Sequence, residues 1–254
     1  MRKLSAAILF ALVAAVSRAE WKVISAQSDP SSAPGLEHRH LLFEDSERGE
    51  RAAIDLALFS TKSFTLRMID QPAEPRLDLA ETMRREKSAA GINGGYFTSD
   101  YTPVGLLIVD GKAFSPWQRA RLLSGVLIAS SDGVRIVRAG EYSRRLKPEA
   151  AVQCGPFLVD LGQRVRGLEA TREARRTFAA TGRDDRAALG FCSEISLAQL
   201  SAILAGNVGN FKIDRALNLD GGSSSAFWFR RENGPAFSVA EQKTVRDFVA
   251  VVPR

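Results

Sequence analysis

A short apolar run that stops at an acid and two glycines limits this chain more than any other feature. Ala216, Leu217 and Leu219, with Asn218 among them, are followed by Asp220-Gly221-Gly222-Ser223-Ser224-Ser225. An apolar run of this length bounded by glycine reads as a buried strand. Adjacent glycines let the backbone turn where a Cβ would clash, and a tight turn can aim successive N–H groups at one spot. The strand therefore presents a carboxylate, Asp220, beside a patch of donors. An ordinary Asp-Gly turn is the simpler reading of the decapeptide alone. A second stretch of the same kind, Asn93-Gly94-Gly95-Tyr96-Phe97, argues for more than a turn.

The remaining punctuation points to many short strands. Asp110-Gly111 and Asp132-Gly133 sit between strand-like runs and predict hairpins over 105–115 and 123–138, because Asp-Gly favours the turns that match strand twist. Further strands are expected over 39–43, 52–59, 64–70, 91–97, 177–181, 187–192, 226–230 and 245–252. Residues 151–160 read as one long strand, broken by Gly155-Pro156 at a bulge or edge. Only two helices are expected. One spans 77–90, with Leu79, Ala80 and Met83 on one face. The other spans 196–205, where Ser196 and Gln199 have capping-box spacing and Gly206 stops the run. Many strands with few helices predict an α+β fold of mixed, mainly antiparallel β-sheets with a few packed helices.

The N-terminus reads as a leader. Arg2 and Lys3 precede an apolar run at 6–16, and Ser17-Arg18-Ala19 offers small residues for cleavage after Ala19. The expectation is a signal peptide over 1–19, an extended lead-in over 20–36, one domain over 37–254, and a periplasmic or secreted protein. An uncleaved anchor is the alternative, although the run is short for a bilayer; after cleavage no stable membrane insertion is expected. Removing the leader takes Arg2, Lys3 and Arg18 away and lowers the formal charge from +6 to +3. That weakens the case for a nucleic-acid partner. Cys154 and Cys192 are the only cysteines. A single disulfide and two free buried thiols both suit an exported chain.

Five stretches carry a resemblance. Ile92-Asn93-Gly94-Gly95-Tyr96-Phe97 with Pro103 to Gly111, then Cys154-Gly155-Pro156-Phe157-Leu158-Val159-Asp160, Ala174-Arg175-Arg176-Thr177 and Asp220-Gly221-Gly222 resemble, in order, the phosphodiester glycosidase family. Two departures stand out. Ser223 takes the place of a third glycine, and Cys192-Ser193 replaces an Asp-Gly. The resemblance implies hydrolysis of a sugar-1-phosphodiester, which releases the sugar and a phosphate monoester. Such a reaction builds positive charge on the sugar and negative charge on the departing phosphate, where preorganised donors matter most.

On that reading the catalytic candidates are Asp220, Arg176 and Asn93. Asp220 is the carboxylate at the sugar, as nucleophile or as base to a water. Arg176 grips the phosphate through its planar fork, with the Thr177 hydroxyl as a further donor. Asn93, Gly94 and Gly95 orient the substrate, Asn218 supports them, and Gly221, Gly222, Ser223 and Ser224 form an anion nest. Tyr96 and Phe97 read as core. Arg172, Arg175, Arg183 and Arg186 read as a solvated face. No cofactor is required by these residues. His38 and His40 are too few to hold zinc, while a divalent cation such as calcium, held by carboxylates, stays open. The alternatives are a non-catalytic carbohydrate- or phosphate-binding domain of the same fold and, more distantly, an exported nucleic-acid-binding protein.

Overall fold

The computed structural model of the protein describes residues 21–31, 33–206 and 208–254, so the expected leader at 1–19 lies outside the described residues. The first strands in chain order are β1 (Trp21–Pro30), β2 (Leu36–Asp45), β3 (Glu50–Ser60), β4 (Phe64–Asp70), β5 (Ala90–Asn93) and β6 (Leu107–Val109). Next come β7 (Lys112–Ser115), β8 (Gly125–Ser130), β9 (Gly133–Arg138), β10 (Ala150–Cys154), β11 (Phe157–Asp160) and β12 (Gln163–Arg164). The last are β13 (Ala174–Thr181), β14 (Arg186–Ile195), β15 (Arg215–Asn218), β16 (Phe227–Phe229), β17 (Phe237–Val239) and β18 (Asp247–Pro253). Helix α1 (Leu79–Arg85) precedes β5, and α2 (Leu197–Leu204) follows β14.

These strands form three sheets. One has eight strands in the order β1-β2-β3-β14-β13-β15-β11-β12, and two have five, β7-β6-β10-β8-β9 and β17-β16-β5-β18-β4. Every strand pair among the described residues is antiparallel, so the expected mixture is corrected to antiparallel sheets throughout. The helices lie on sheet faces and link no parallel neighbours, which is why α+β describes the fold only coarsely.

The central core is filled from all three sheets, by Phe59, Ile92, Leu127, Val152, Leu189, Leu217 and Val249 among others. β3 shows why its sequence is nearly continuous in apolar residues. Ala57 and Phe59 face the central core, while Ile54, Leu56 and Leu58 face a second layer completed by Leu200, Ile203 and Leu204 of α2. A strand covered on both faces loses the alternation that marks a half-solvated one. α1 covers the opposite side through Leu79 and Met83 against Trp228, Phe248 and Ala250.

Both Asp-Gly hairpins form, and Asp110 and Gly111 both take positive φ, 47° and 76°, as a primed turn requires. The Ser196 cap of α2 is present, with Gln199 N donating to Ser196 Oγ and Ser196 N to Gln199 Oε1. Helix α1 is shorter than expected, starting at its Asp78 cap. The long strand expected over 151–160 is two strands in different sheets, because the chain changes sheet at Gly155-Pro156. Residues 21–30 of the expected lead-in are extended but paired along β2, as an edge strand. Its side chains are mostly solvated, so it lacks the apolar alternation that would have marked it. Among the described residues no helix is long and apolar enough to cross a membrane. Cys154 and Cys192 are free and buried.

Candidate functional site

The two glycine motifs meet where two sheets adjoin. β5 of one sheet ends at Asn93, and β15 of the eight-stranded sheet ends at Asn218. Beyond these ends, Asp220 N donates to the Gly94 carbonyl across 3.1 Å. The Asn93 amide donates to the Asp220 carbonyl at 2.7 Å, and the Thr177 hydroxyl donates to the same oxygen at 2.6 Å. Asn93 Oδ1 accepts from Ala226 N at 3.1 Å, so this one side chain closes both ends of the glycine turn.

Asp220 and Arg176 line one cavity of about 250 Å³, together with Asn218, Gly221, Gly222 and Tyr96. Leu122, Pro156, Glu169, Ala174 and Leu197, none of them read as functional from the sequence, line it as well, and so does Arg172, which was read as part of a solvated face. Burial raises the proton affinity of the Asp220 carboxyl, while neighbouring Ser224, the Gly221 N–H and Lys243 pull the other way. One of its oxygens, Oδ1, accepts the Gly221 N–H at 3.0 Å. A carboxylate offers about four lone-pair positions, so that turn bond leaves capacity for a ligand.

Arg176 is nearly buried. Its Nε donates to the Ile195 carbonyl at 3.1 Å and Nη2 to the Arg172 carbonyl at 2.7 Å, with Glu169 Oε2 3.9 Å away. Nη1 and the second N–H of Nη2 are left for a ligand, so the terminal fork of the guanidinium keeps two prongs. Burial lowers the proton affinity of this guanidinium.

The remaining expectations change more. Asn93 and Thr177 are fully buried, with their donors spent on Asp220; they hold the turn and do not face the cavity. Gly94 and Gly95 are also away from it. A Cβ on Gly94 would fall 1.8 Å from Asp247 Oδ1, and one on Gly95 2.7 Å from Val152 Cγ2. These glycines admit protein atoms, where an approaching ligand was expected. The nest is partly self-occupied: Gly221 N serves Asp220, and Gly222–Ser224 form a 3₁₀ turn, with Ser223 O accepting from Gln242 N at 2.8 Å. Ser223 and Ser224 do not line the cavity. Tyr96, read as core, does line it, and its hydroxyl meets the Gly155 carbonyl and the Asn218 amide. Asn218 also donates to the Gly155 and Leu219 carbonyls, at 3.0 and 2.6 Å.

Arg175 is no solvated charge either. It donates to the Ser225 and Ala240 carbonyls and lies over the Phe191 ring. Arg183 and Arg186 do pair on the surface, with Asp214 and Asp184. His38 and His40 both bond one oxygen of Asp55, each at 2.9 Å. Among the described residues no group of three or more His, Cys, Asp or Glu side chains could hold a metal ion. The carboxylate cage left open for calcium is therefore not found there.

Asp247, which sequence reading passed over, sits directly behind the Asn93-Gly94-Gly95 turn. Its carbonyl accepts Gly94 N at 2.8 Å and its Oδ1 accepts Gly95 N at 2.9 Å. Complete burial pushes its carboxyl up to about 7. A lone acid heading the apolar run Phe248 to Val252 was the available signal.

No curated protein sequence matches the chain. In fold it is similar to the catalytic domain of zebrafish N-acetylglucosamine-1-phosphodiester alpha-N-acetylglucosaminidase, auto-inhibited by its pro-peptide. That likeness has TM-score 0.64 at 15% identity and covers 92% of this chain and 88% of that one. A Synechocystis protein superposes with TM-score 0.58 at 16% identity, over 92% of this chain and 68% of that one. A candidate exported protein of Burkholderia pseudomallei gives TM-score 0.54 at 14% identity, over 81% and 75%. At these identities the likeness speaks for the fold. The sequence profile of the phosphodiester glycosidases matches residues 86–252, which include β5, the Arg176 strand, the glycine turn and all of β18 but Pro253. This chain belongs to the phosphodiester glycosidase family.

Proposed function

We propose that the protein is an exported hydrolase that cleaves a sugar-1-phosphodiester and releases the sugar and a phosphate monoester. The observation that carries this reading is that Asp220 and Arg176, 44 positions apart, line one cavity. Asp220 faces the anomeric carbon, and Arg176 Nη1 faces the phosphate. Water attacks the anomeric carbon as the sugar–oxygen bond breaks, and the bond pair leaves with the phosphate. Asp220 takes the proton of that water, and the proton affinity that burial gives its carboxyl suits a base. The phosphate is a good leaving group, so donation from Arg176 substitutes for a strong general acid. Tyr96 and Asn218, bonded to one another, form the wall beside Asp220.

The test is turnover of N-acetylglucosamine 1-(methyl phosphate), followed as methyl phosphate by ³¹P NMR. Wild-type protein should release it, and Asp220→Asn should slow release by about a hundredfold or more. An Asp220→Asn variant as fast as wild type removes the catalytic role. Export is tested by the N-terminus of protein recovered outside the cytoplasm, expected at Glu20.

One observation favours a second reading, a binding domain without turnover. Cys192, standing where the family has an aspartate, pairs directly across from Arg176 in the sheet and is buried. No carboxylate is available at that position. Binding of the same ester by the wild-type protein with no product formed would select this reading.

A further inference from the structure

A cavity of about 810 Å³ opens beside the one that holds Asp220. The two share a stretch of chain, since Leu123 lines the larger and Leu122 the smaller. Trp117, Arg119, Arg121, Tyr142 and Arg144 line the larger one, and no Asp or Glu does. The three arginines are exposed, and their guanidinium groups make no ion pair or hydrogen bond to any described residue. The nearest acid in sequence, Glu141, is bound to Arg215 through both oxygens.

The wall is held in place from behind. Gln153, fully buried on β10, donates to the Gln118 and Leu123 carbonyls at 2.8 and 3.4 Å. Its oxygen accepts Gln118 N at 3.1 Å and Leu106 N at 3.0 Å. Trp117 and Tyr142 stack with ring centroids 5.1 Å apart and planes 6° apart. The loop from Trp117 to Leu123 is thus positioned before any ligand arrives, as an effective binding site requires.

Three guanidinium groups around one cavity repel each other and concentrate anions there. Arginine matches phosphate and carboxylate geometry through its fork, and aromatic surface beside it packs the C–H face of a sugar ring. Elsewhere on the chain, by contrast, arginines such as Arg138, Arg183 and Arg215 have acidic partners.

We propose that this cavity is a second substrate subsite, which binds an anionic unit of a glycan chain whose sugar-1-phosphodiester occupies the Asp220 cavity. The proposal rests on the hydrolase reading above and deepens it: the substrate is a polyanionic glycan longer than one repeat. Phosphate and carboxylate are both chemistries the arginines accept. The position beside the Asp220 cavity and the mild net charge of the mature chain favour a glycan over a nucleic acid.

The experiment measures binding by calorimetry in the Asp220→Asn background, so that nothing turns over. The probes are N-acetylglucosamine 1-(methyl phosphate), a trimer of N-acetylglucosamine joined by 1-phosphodiester bonds, trigalacturonate, and a ten-residue oligothymidylate. The variant replaces Arg119, Arg121 and Arg144 by Gln. These side chains carry no bonds of the fold, so the variant should melt as its parent does. The expected result is that the variant binds the trimer about tenfold or more weakly, as lost charge-assisted contacts imply, and binds the single ester unchanged. The same loss with trigalacturonate identifies carboxylate as an accepted anion, and loss with the trimer alone identifies phosphate. Unchanged trimer affinity overturns the proposal. So does oligothymidylate binding as tightly as the trimer and lost in the same variant, which makes the cavity a nucleic-acid site. Failure of the wild-type protein to hydrolyse any ester would sink the hydrolase reading alone, since the binding arm does not depend on turnover.

Discussion

The side-chain amide of Asn93 donates to the main-chain carbonyl of Asp220 at 2.7 Å, tying together two glycine motifs 127 residues apart in sequence. The Thr177 hydroxyl shares that acceptor. All the partners are at or below the surface of two adjoining sheets, so losing either donor leaves a buried polar group short of a bond. Asn93→Ala and Thr177→Val should each cost about 1–3 kcal/mol in urea unfolding. Turnover should fall with them, because the backbone that carries the Asp220 carboxylate loses its anchor. A variant with unaltered stability and reduced activity would mean that Asn93 faces substrate after all.

Gly94 and Gly95 differ in how much room they leave, and their alanine variants should differ accordingly. A Cβ at Gly94 meets the Asp247 carboxylate and also its main-chain oxygen, at 1.8 and 3.0 Å. Backbone cannot step aside as a side-chain end can, so Gly94→Ala should not yield folded protein. At Gly95 the obstacle is one methyl group of Val152. Gly95→Ala should destabilise by about 1–3 kcal/mol, and adding Val152→Ala should recover part of that. Circular dichroism melting of the three variants decides the matter; equal behaviour of the two single alanines would refute the assignment.

The buried Asp247 gives stability a definite dependence on pH. Burial is the main cause of its raised value, Asp70 and Asp220 add to it, and the Gly95 N–H and Arg246 oppose it. The folded carboxyl titrates near 7, against about 3.9 for the unfolded chain. Between those values the native state holds a proton that the unfolded state does not. The contribution is therefore whole below about pH 4 and is lost as pH rises to 7, by up to about 1.4 kcal/mol per pH unit. Asp220 and Glu241, also raised by burial, act in the same direction. Thermal melts from pH 5 to 7 should show falling stability, and Asp247→Asn, which keeps the acceptor for Gly95 N, should flatten the slope. A slope unchanged in that variant would assign the effect to other groups.

What could be read from the sequence was what local chemistry determines. The Asp-Gly turns, the Ser196 cap and the apolar runs of β3 and β14 each carry their structure in adjacent residues. The two glycine motifs do meet, through the Asn93–Asp220 bond, although either one alone reads as an ordinary turn. The roles of their neighbours were not legible, because those depend on what lies across the fold. Nothing near Gly94 in sequence announces Asp247, 153 positions away. Arg176 was singled out by its motif, but the Ile195 carbonyl that occupies its Nε comes from the neighbouring strand β14. The edge strand β1 escaped notice because a solvated edge needs no apolar face.

The bonds of Arg176 lead to the last prediction. Its Nε and Nη2 fasten the carbonyls of Ile195 and Arg172, which leaves Nη1 and one N–H of Nη2 for a ligand. Lysine keeps the charge but has one nitrogen at the end of a flexible stem. It can replace the ligand contact or the scaffold contacts, not both. Arg176→Lys should therefore lower affinity for a sugar-1-phosphodiester about tenfold, the loss of one charge-assisted bond. It should also speed amide hydrogen exchange in the Glu169–Glu173 loop that the guanidinium ties to β14. Exchange separates this role from that of a bare counter-charge, which would leave the loop protected while affinity fell. Unchanged affinity together with unchanged exchange would remove Arg176 from the site and leave Arg172 as the arginine lining the Asp220 cavity.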